Sequence, residues 1–158
     1  MDALLAACQQ TGADAVHPGY GFLSENAAFS KACKEAGITF IGPDEDAIQL
    51  MGSKRLSKIA MQDAGVPCIP GYQGEEQSDE RLQQEAERIG LPLMIKASAG
   101  GGGRGMRVVT DASDISAQLK SARQEARNAF GSDELILERA VLQPRHVEIQ
   151  VFGDRHGN

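Results

Sequence analysis

Lys96-Ala-Ser-Ala-Gly-Gly-Gly-Gly-Arg-Gly105 is the stretch that decides how this sequence folds. A lysine ends the apolar segment Leu91-Pro-Leu-Met-Ile-Lys96, and the run after it carries almost no side chains. With no Cβ atoms in the way, the backbone N–H groups of such a loop can close on phosphate oxygens, and the lysine adds a point charge. Residues 100 to 105 fit G-x-G-x-x-G, but the dinucleotide fingerprint needs a helix directly after its glycines, and Met106-Arg-Val-Val109 reads as strand. A Walker A loop is excluded too, because no Gly-Lys-Ser/Thr closes the run. What remains is strand, glycine loop, strand: a hairpin flap folded over a nucleotide, in the manner of protein kinases. Unframed glycine runs are commonly flexible linkers. This one is framed by two compact apolar strands, which favours the flap.

Working outward, Ser113 is predicted to cap a long helix with Ile115, Leu119, Ala122 and Ala126 on one stripe and Gly131 at its end. Two strands are predicted next: Glu134-Leu-Ile-Leu-Glu138, then Arg145 to Phe152. The second alternates Val147, Ile149 and Val151 with His146, Glu148 and Gln150. Gly153 to Asn158 reads as a hairpin turn. Upstream of the glycine run, Ser78 to Ile89 is an acidic amphipathic helix closed by Gly90, and Val66-Pro-Cys-Ile-Pro70 is extended. Asp44 to Met51 and Ser53 to Ala64 read as two short helices broken at Gly52. Residues 2 to 11 read as a helix and Ala13 to His17 as a short strand. Ser24 is expected to cap a helix with Ala28, Phe29 and Cys33 on one side, ending at Gly37 before the strand Ile38 to Ile41. Helix, strand, helix, strand is the order of an open parallel sheet with covering helices. Two short strands do not make an independently stable sheet, so earlier strands, and the return strand of the last hairpin, are expected to be missing from a truncated molecule.

Composition narrows the function classes. The chain has 158 residues, 41% hydrophobic and 24% charged, which suits one globular domain or pieces of two. It has no apolar run long enough for a bilayer, and its first residues lack the basic region of a signal peptide. The expected setting is therefore cytoplasmic, or a mitochondrial matrix if a leader is missing. A net charge of −6 argues against nucleic acid as the main partner. Cys8, Cys33 and Cys68 are odd in number and lack C-x-x-C spacing, so they read as buried reduced thiols. His17 and His156 have no partners at metal-like spacing, and no metal site is predicted.

Six motifs then occur in order: His17-Pro-Gly-Tyr-Gly-Phe-Leu-Ser-Glu-Asn26, Gly42-Pro43, Met51-Gly-Ser-Lys54, Ala64-Gly-Val-Pro67, Lys96 to Met106, and Pro144-Arg-His-Val-Glu-Ile-Gln150. Together they resemble biotin carboxylase, an ATP-grasp ligase. Gly71 to Asp79 resembles the acyl-CoA carboxylase branch, in particular the biotin-bearing subunit of methylcrotonyl-CoA or geranyl-CoA carboxylase. The resemblance implies an α/β fold in four parts. Residues 1–42 are the end of a parallel-sheet N-terminal domain, 43–65 a helical linker, 66–138 the ATP-grasp subdomain with the glycine flap, and 139–158 the truncated start of the main ATP-grasp subdomain.

The resemblance also implies site roles. Lys54 matches a lysine on the ATP phosphates, Lys96 one facing the α-phosphate and adenine side, Gly102 and Gly103 the flap glycines, and Met106 an apolar wall against adenine. Glu138, Arg139, Ala140 and Val141 match the hinge that reads adenine, and His146 a histidine near the nucleotide. Tyr20 and Glu25 match a segment beside the bicarbonate and biotin site. Read singly, Lys54 is a surface lysine, His146 an exposed strand histidine, Glu25 a helix N-terminal carboxylate and Tyr20 a packing residue.

The activity implied is ATP-dependent carboxylation of biotin by bicarbonate. Its partners would be a biotin carrier domain and a carboxyltransferase subunit. The family's catalytic and magnesium-holding residues match positions beyond Asn158, so the chain alone is expected to be inactive. A nucleotide-binding or scaffold fragment without activity is the alternative, and another ATP-grasp ligase is disfavoured by the His17 to Asn26 motif.

Overall fold

The computed structural model describes residues 1–100, 105–154 and 156–158. Gly102 and Gly103, assigned above to the flap, lie outside the described residues.

The first unit runs α1 (Asp2–Thr11), β1 (Ala15–Val16), α2 (Ala27–Glu35) and β2 (Thr39–Phe40). β1 and β2 pair in parallel, with Ala15 opposite Thr39 and Val16 opposite Phe40, as the alternating order of elements predicts. Phe29, Cys33 and Ile38 form a small core, with Phe40 meeting Phe29 edge to face at 6.0 Å between centroids. Ala28 faces solvent, outside the stripe predicted for it, and of the three cysteines expected to be buried only Cys33 is, Cys8 and Cys68 being half-buried.

The predicted cap of α2 is also displaced. Phe22–Glu25 winds into a single 3-10 turn, so Ser24 Oγ donates back to Gly21 O instead of capping. Asn26 takes the cap position and its Oδ1 accepts from Phe29 N at 2.8 Å. Asn26→Ala should therefore destabilise the fold by about 1 kcal/mol in urea unfolding, against little change for Ser24→Ala. Equal effects of the two substitutions would contradict this assignment.

Two helices carry the chain across to the second unit: α3 (Glu45–Gly52) and α4 (Lys54–Asp63). The break between them is sharp because Ser53 is extended and its Oγ accepts from Leu56 N, starting a new helix at Lys54. The second unit comprises β3 (Gly71–Tyr72), α5 (Asp79–Ile89), β4 (Leu93–Ala97), β5 (Met106–Val109), α6 (Ile115–Phe130) and β6 (Leu135–Arg139). Its four strands lie in the order β3-β6-β4-β5, antiparallel throughout. The predicted hairpin is present, with Leu93 opposite Val109 and Lys96 opposite Met106.

One face of this sheet is the main core. Leu93, Ile95, Ala97, Leu135 and Leu137 pack against Leu82 and Ala86 of α5 and against the predicted stripe Ile115, Leu119, Ala122 and Ala126 of α6. Alternation along the strands sends Met94, Lys96, Ile136 and Glu138 to the other face, toward α4. β6 has neighbours on both sides and is buried from Leu135 through Glu138. β3 approaches it so closely at Gly71 that a Cβ there would lie 2.1 Å from Leu137 O, and only glycine fits.

Two further predictions need correction. Ser113 does not cap α6: Asp111 Oδ1 accepts from both Ser113 N and Ser113 Oγ, and a 3-10 turn over Ala112–Asp114 precedes the helix. The strand predicted over Arg145 to Phe152 is not formed. A strand needs a neighbour for its backbone groups, and no described residue pairs with this segment, so Val147, Ile149 and Val151 are exposed. The turn after it is present around Asp154, whose N–H donates to Asn158 O and whose Oδ1 accepts from His156 N.

Candidate functional site

The face of the sheet turned toward α4 carries the chemistry. Lys54 and Lys58 lie one turn apart on α4 and so share a helix face. They meet Lys96 of β4 and Glu138 of β6 around a cavity of about 300 Å³ that is also lined by Met51, Met61, Cys68, Ile69 and Ile136. Antiparallel pairing places Glu138 opposite Met94 and Lys96 opposite Ile136, so the two charged groups stand on adjacent strands of one face.

Glu138 is buried and both its oxygens are engaged. Oε1 accepts from Lys58 Nζ at 2.6 Å and Oε2 from Lys96 Nζ at 2.5 Å. Burial works to raise the Glu138 carboxyl, but hydrogen bonds and charge from Lys58 and Lys96 outweigh it and hold the group below the usual glutamate range. Lys54, the third ammonium, turns to the backbone after β4. Its Nζ donates to the carbonyls of Ala99 and Gly100 at the root of the glycine run. Burial first, then repulsion from Lys96, pushes its ammonium below the ordinary lysine value. Three ammoniums thus face one carboxylate, a local positive excess in a chain whose net charge is −6. Apolar walls with a few converging cations suit an anion attached to an apolar ring.

The start of α4 is stitched to the end of β4. Lys54 N donates to Ser98 O at 2.9 Å, Ser53 Oγ lies 3.2 Å from Ser98 Oγ, and Ser98 N donates to Glu134 O. Arg55 adds an ion pair to Glu134 at 2.7 Å. The lysines of α4 are thereby fixed relative to the base of the hairpin, independently of the loop itself.

The structure brings together only some of the residues singled out from sequence. Lys54, Lys96 and Glu138 share the cavity. Met106 is opposite Lys96 in register and exposed, so it extends the same face as an apolar rim. Arg139 and Ala140 follow Glu138, but their backbone N–H groups already donate to Pro70 O and Pro92 O, and Val141 is exposed. His146 stands apart, solvent-exposed and 3.2 Å from Glu148. Tyr20 is 97% exposed and lines none of the cavities described here. Glu25 borders a different cavity of about 330 Å³, between the two units, with Ser53, Ser98 and Ala99 on its wall. Lys58 escaped the sequence reading. The signal was its spacing of four from Lys54, which a solvated helix face shows equally well.

An antiparallel sheet with a glycine hairpin, backed by two helices and facing a lysine-lined cavity, defines the ATP-grasp class of nucleotide-binding architecture. Two family profiles divide the chain: "Biotin carboxylase, N-terminal domain" matches residues 1–48, and "Carbamoyl-phosphate synthase L chain, ATP binding domain" matches residues 53–158. The rat mitochondrial methylcrotonoyl-CoA carboxylase subunit alpha is 51% identical over the whole chain, which spans 22% of that relative. The Campylobacter jejuni biotin carboxylase, solved as a β-γ-ATP complex, superposes with a TM-score of 0.93 at 47% identity, covering 99% of this chain and 35% of that one. The biotin carboxylase domain of Hydrogenobacter thermophilus 2-oxoglutarate carboxylase, solved with MgADP and bicarbonate, gives 0.85 at 44% identity, covering 89% of this chain and 31% of that one. The chain belongs to the biotin carboxylase family.

Proposed function

We propose that the chain carries part of the ATP site of a ligase that carboxylates biotin with bicarbonate. The observation that carries this reading is the convergence of Lys54, Lys96 and Glu138 on one cavity at the root of the glycine hairpin. In this reading Lys96 and Lys54 neutralise the phosphates, as cations do around a transferring phosphoryl group. Gly102 and Gly103 offer backbone N–H groups, Met106 covers one face of the adenine, and the segment Glu138 to Val141 borders its edge, with His146 nearby. Tyr20 and Glu25 stand toward bicarbonate and biotin. The four-part division at residues 42, 65 and 138 goes with this reading.

ATP enters such reactions with magnesium, which stabilises charge between the β- and γ-phosphates. Among the described residues no three His, Cys, Asp or Glu side chains come together as a metal site. The second reading is a nucleotide-binding piece without turnover of its own. A carrier domain bearing biotin and a carboxyltransferase subunit are the partners, and the acyl-CoA branch is the setting. A mitochondrial matrix or bacterial cytoplasm goes with the relatives' sources. Among the described residues no helix is long and apolar enough to cross a membrane.

A chimera separates the two readings. The matching segment of the rat subunit is replaced by this chain, and ATP hydrolysis with and without bicarbonate and free biotin is compared with that of the chain alone. We expect hydrolysis stimulated by both substrates in the chimera and none in the chain. A folded chimera that hydrolyses no ATP would overturn the carboxylase reading. Stimulated turnover by the chain alone would overturn the second.

A further inference from the structure

We infer that Lys58 is a positioning residue that keeps Glu138 paired while Lys96 leaves it for phosphate. The inference rests on the nucleotide reading of the cavity.

Lys96 meets a conflict in that reading. Its ammonium is bound to Glu138 Oε2, and the carboxylate offsets much of the charge it could offer an anion. Were Lys96 the sole partner, moving it to phosphate would strand a carboxylate at 7% exposure, and an unpaired charge at that depth is strongly destabilising. Lys58 removes the conflict. It is itself only 8% exposed and sits on the opposite oxygen, paired with Glu138 at 2.6 Å. Its seat is tight, because the position of a Cβ on Gly71 would lie 3.1 Å from Lys58 Nζ.

The two lysines are therefore unequal. Both border the cavity, but the Lys58 side chain is 7% exposed and wedged against β3 at Gly71, whereas that of Lys96 is 23% exposed. The charged groups around the pair are Lys54 on α4, which repels Lys96 and favours its departure toward an anion, and Glu138 itself. The arrangement leaves one carboxylate with a permanent partner and a releasable one. Lys58 touches neither reacting atoms nor phosphate in this scheme; it acts through Glu138.

ATP and adenosine binding to the chain, measured by calorimetry, tests the inference. Lys58→Met should weaken ATP roughly tenfold, because Lys96 becomes the sole partner of Glu138, and should leave adenosine within about twofold. Lys58→Arg should retain most of the ATP affinity. Adding Glu138→Gln to Lys58→Met should recover ATP affinity, since the carboxylate that holds Lys96 is gone; a purely structural lysine predicts a further loss. Unchanged ATP affinity in Lys58→Met would overturn the inference and leave the nucleotide reading standing. Equal loss of ATP and adenosine without recovery in the double variant would also overturn it. If the unsubstituted chain binds no ATP, the nucleotide reading falls and the inference with it. Side-chain ammonium NMR of the unsubstituted chain needs no variant: on adding ATP the Lys96 signal should shift and the Lys58 signal should stay. The reverse pattern would overturn the inference.

Discussion

Lys96→Ala is expected to lower the affinity of the chain for ATP by roughly 10- to 150-fold, the loss of a charge-assisted hydrogen bond of about 1.5–3 kcal/mol. The fold should survive, because Glu138 keeps Lys58 at 2.6 Å when Lys96 is removed. Lys120→Ala supplies the comparison. Lys120 is exposed on α6, behind the face of the sheet that packs on that helix, and its removal should leave ATP affinity unchanged. The two variants carry the same change in net charge, so long-range attraction of ATP cannot separate them. Calorimetric titration of both gives the ratio directly, and equal affinities would remove Lys96 from the site.

Glu138→Ala has the largest expected effect on stability. It leaves Lys58 at 8% exposure facing Lys96 with no carboxylate between them, and removing one partner of a buried pair typically destabilises by about 3–5 kcal/mol. Single domains have about 5–15 kcal/mol in total, so a large fraction of the margin goes. The pH dependence has a definite sign. The folded carboxyl sits below its ordinary value, so its stabilisation is fully present above the unfolded glutamate pKa of about 4.3 and is lost as pH falls through the depressed folded value. Urea midpoints of the original chain should therefore decline below that range. Those of Glu138→Ala should start lower and decline less over the same window. A parallel decline would show that Glu138 is not the group responsible.

What the sequence discloses and what it hides divide along the range of the interactions. The glycine hairpin was readable because Lys96, the glycine run and Met106 to Val109 are contiguous and their pattern is local. The stripe Ile115, Leu119, Ala122 and Ala126 was readable for the same reason, and all four are buried as its period requires. β3 was missed, since a strand of two residues has no period and exists only through its pairing with Leu137 and Glu138. The capping choices failed at neighbours that compete for one role. Ser24 and Asn26 can both cap, and the 3-10 turn over Phe22–Glu25 decides for Asn26. Alternation over Arg145 to Phe152 was real in the sequence, but alternation alone supplies no partner for the backbone.

At the site, Lys96 and Glu138 were named separately, as a phosphate lysine and an adenine hinge; that they form one ion pair depends on two strands 42 residues apart lying side by side. Lys58 lies 80 residues from Glu138, and nothing around it in sequence distinguishes it from a solvated helix lysine. His146 shows the opposite case. Its motif is distinct in the sequence, yet among the described residues it meets only Glu148.

A crystal structure of the chain with bound ATP tests the central claim most directly. The account predicts the triphosphate within hydrogen-bonding distance of Lys96 Nζ, the adenine between Met106 and the segment Glu138 to Val141, and Lys58 still on Glu138. ATP bound elsewhere, for instance along the exposed face of α6, with the Lys96–Glu138 pair intact, would contradict it.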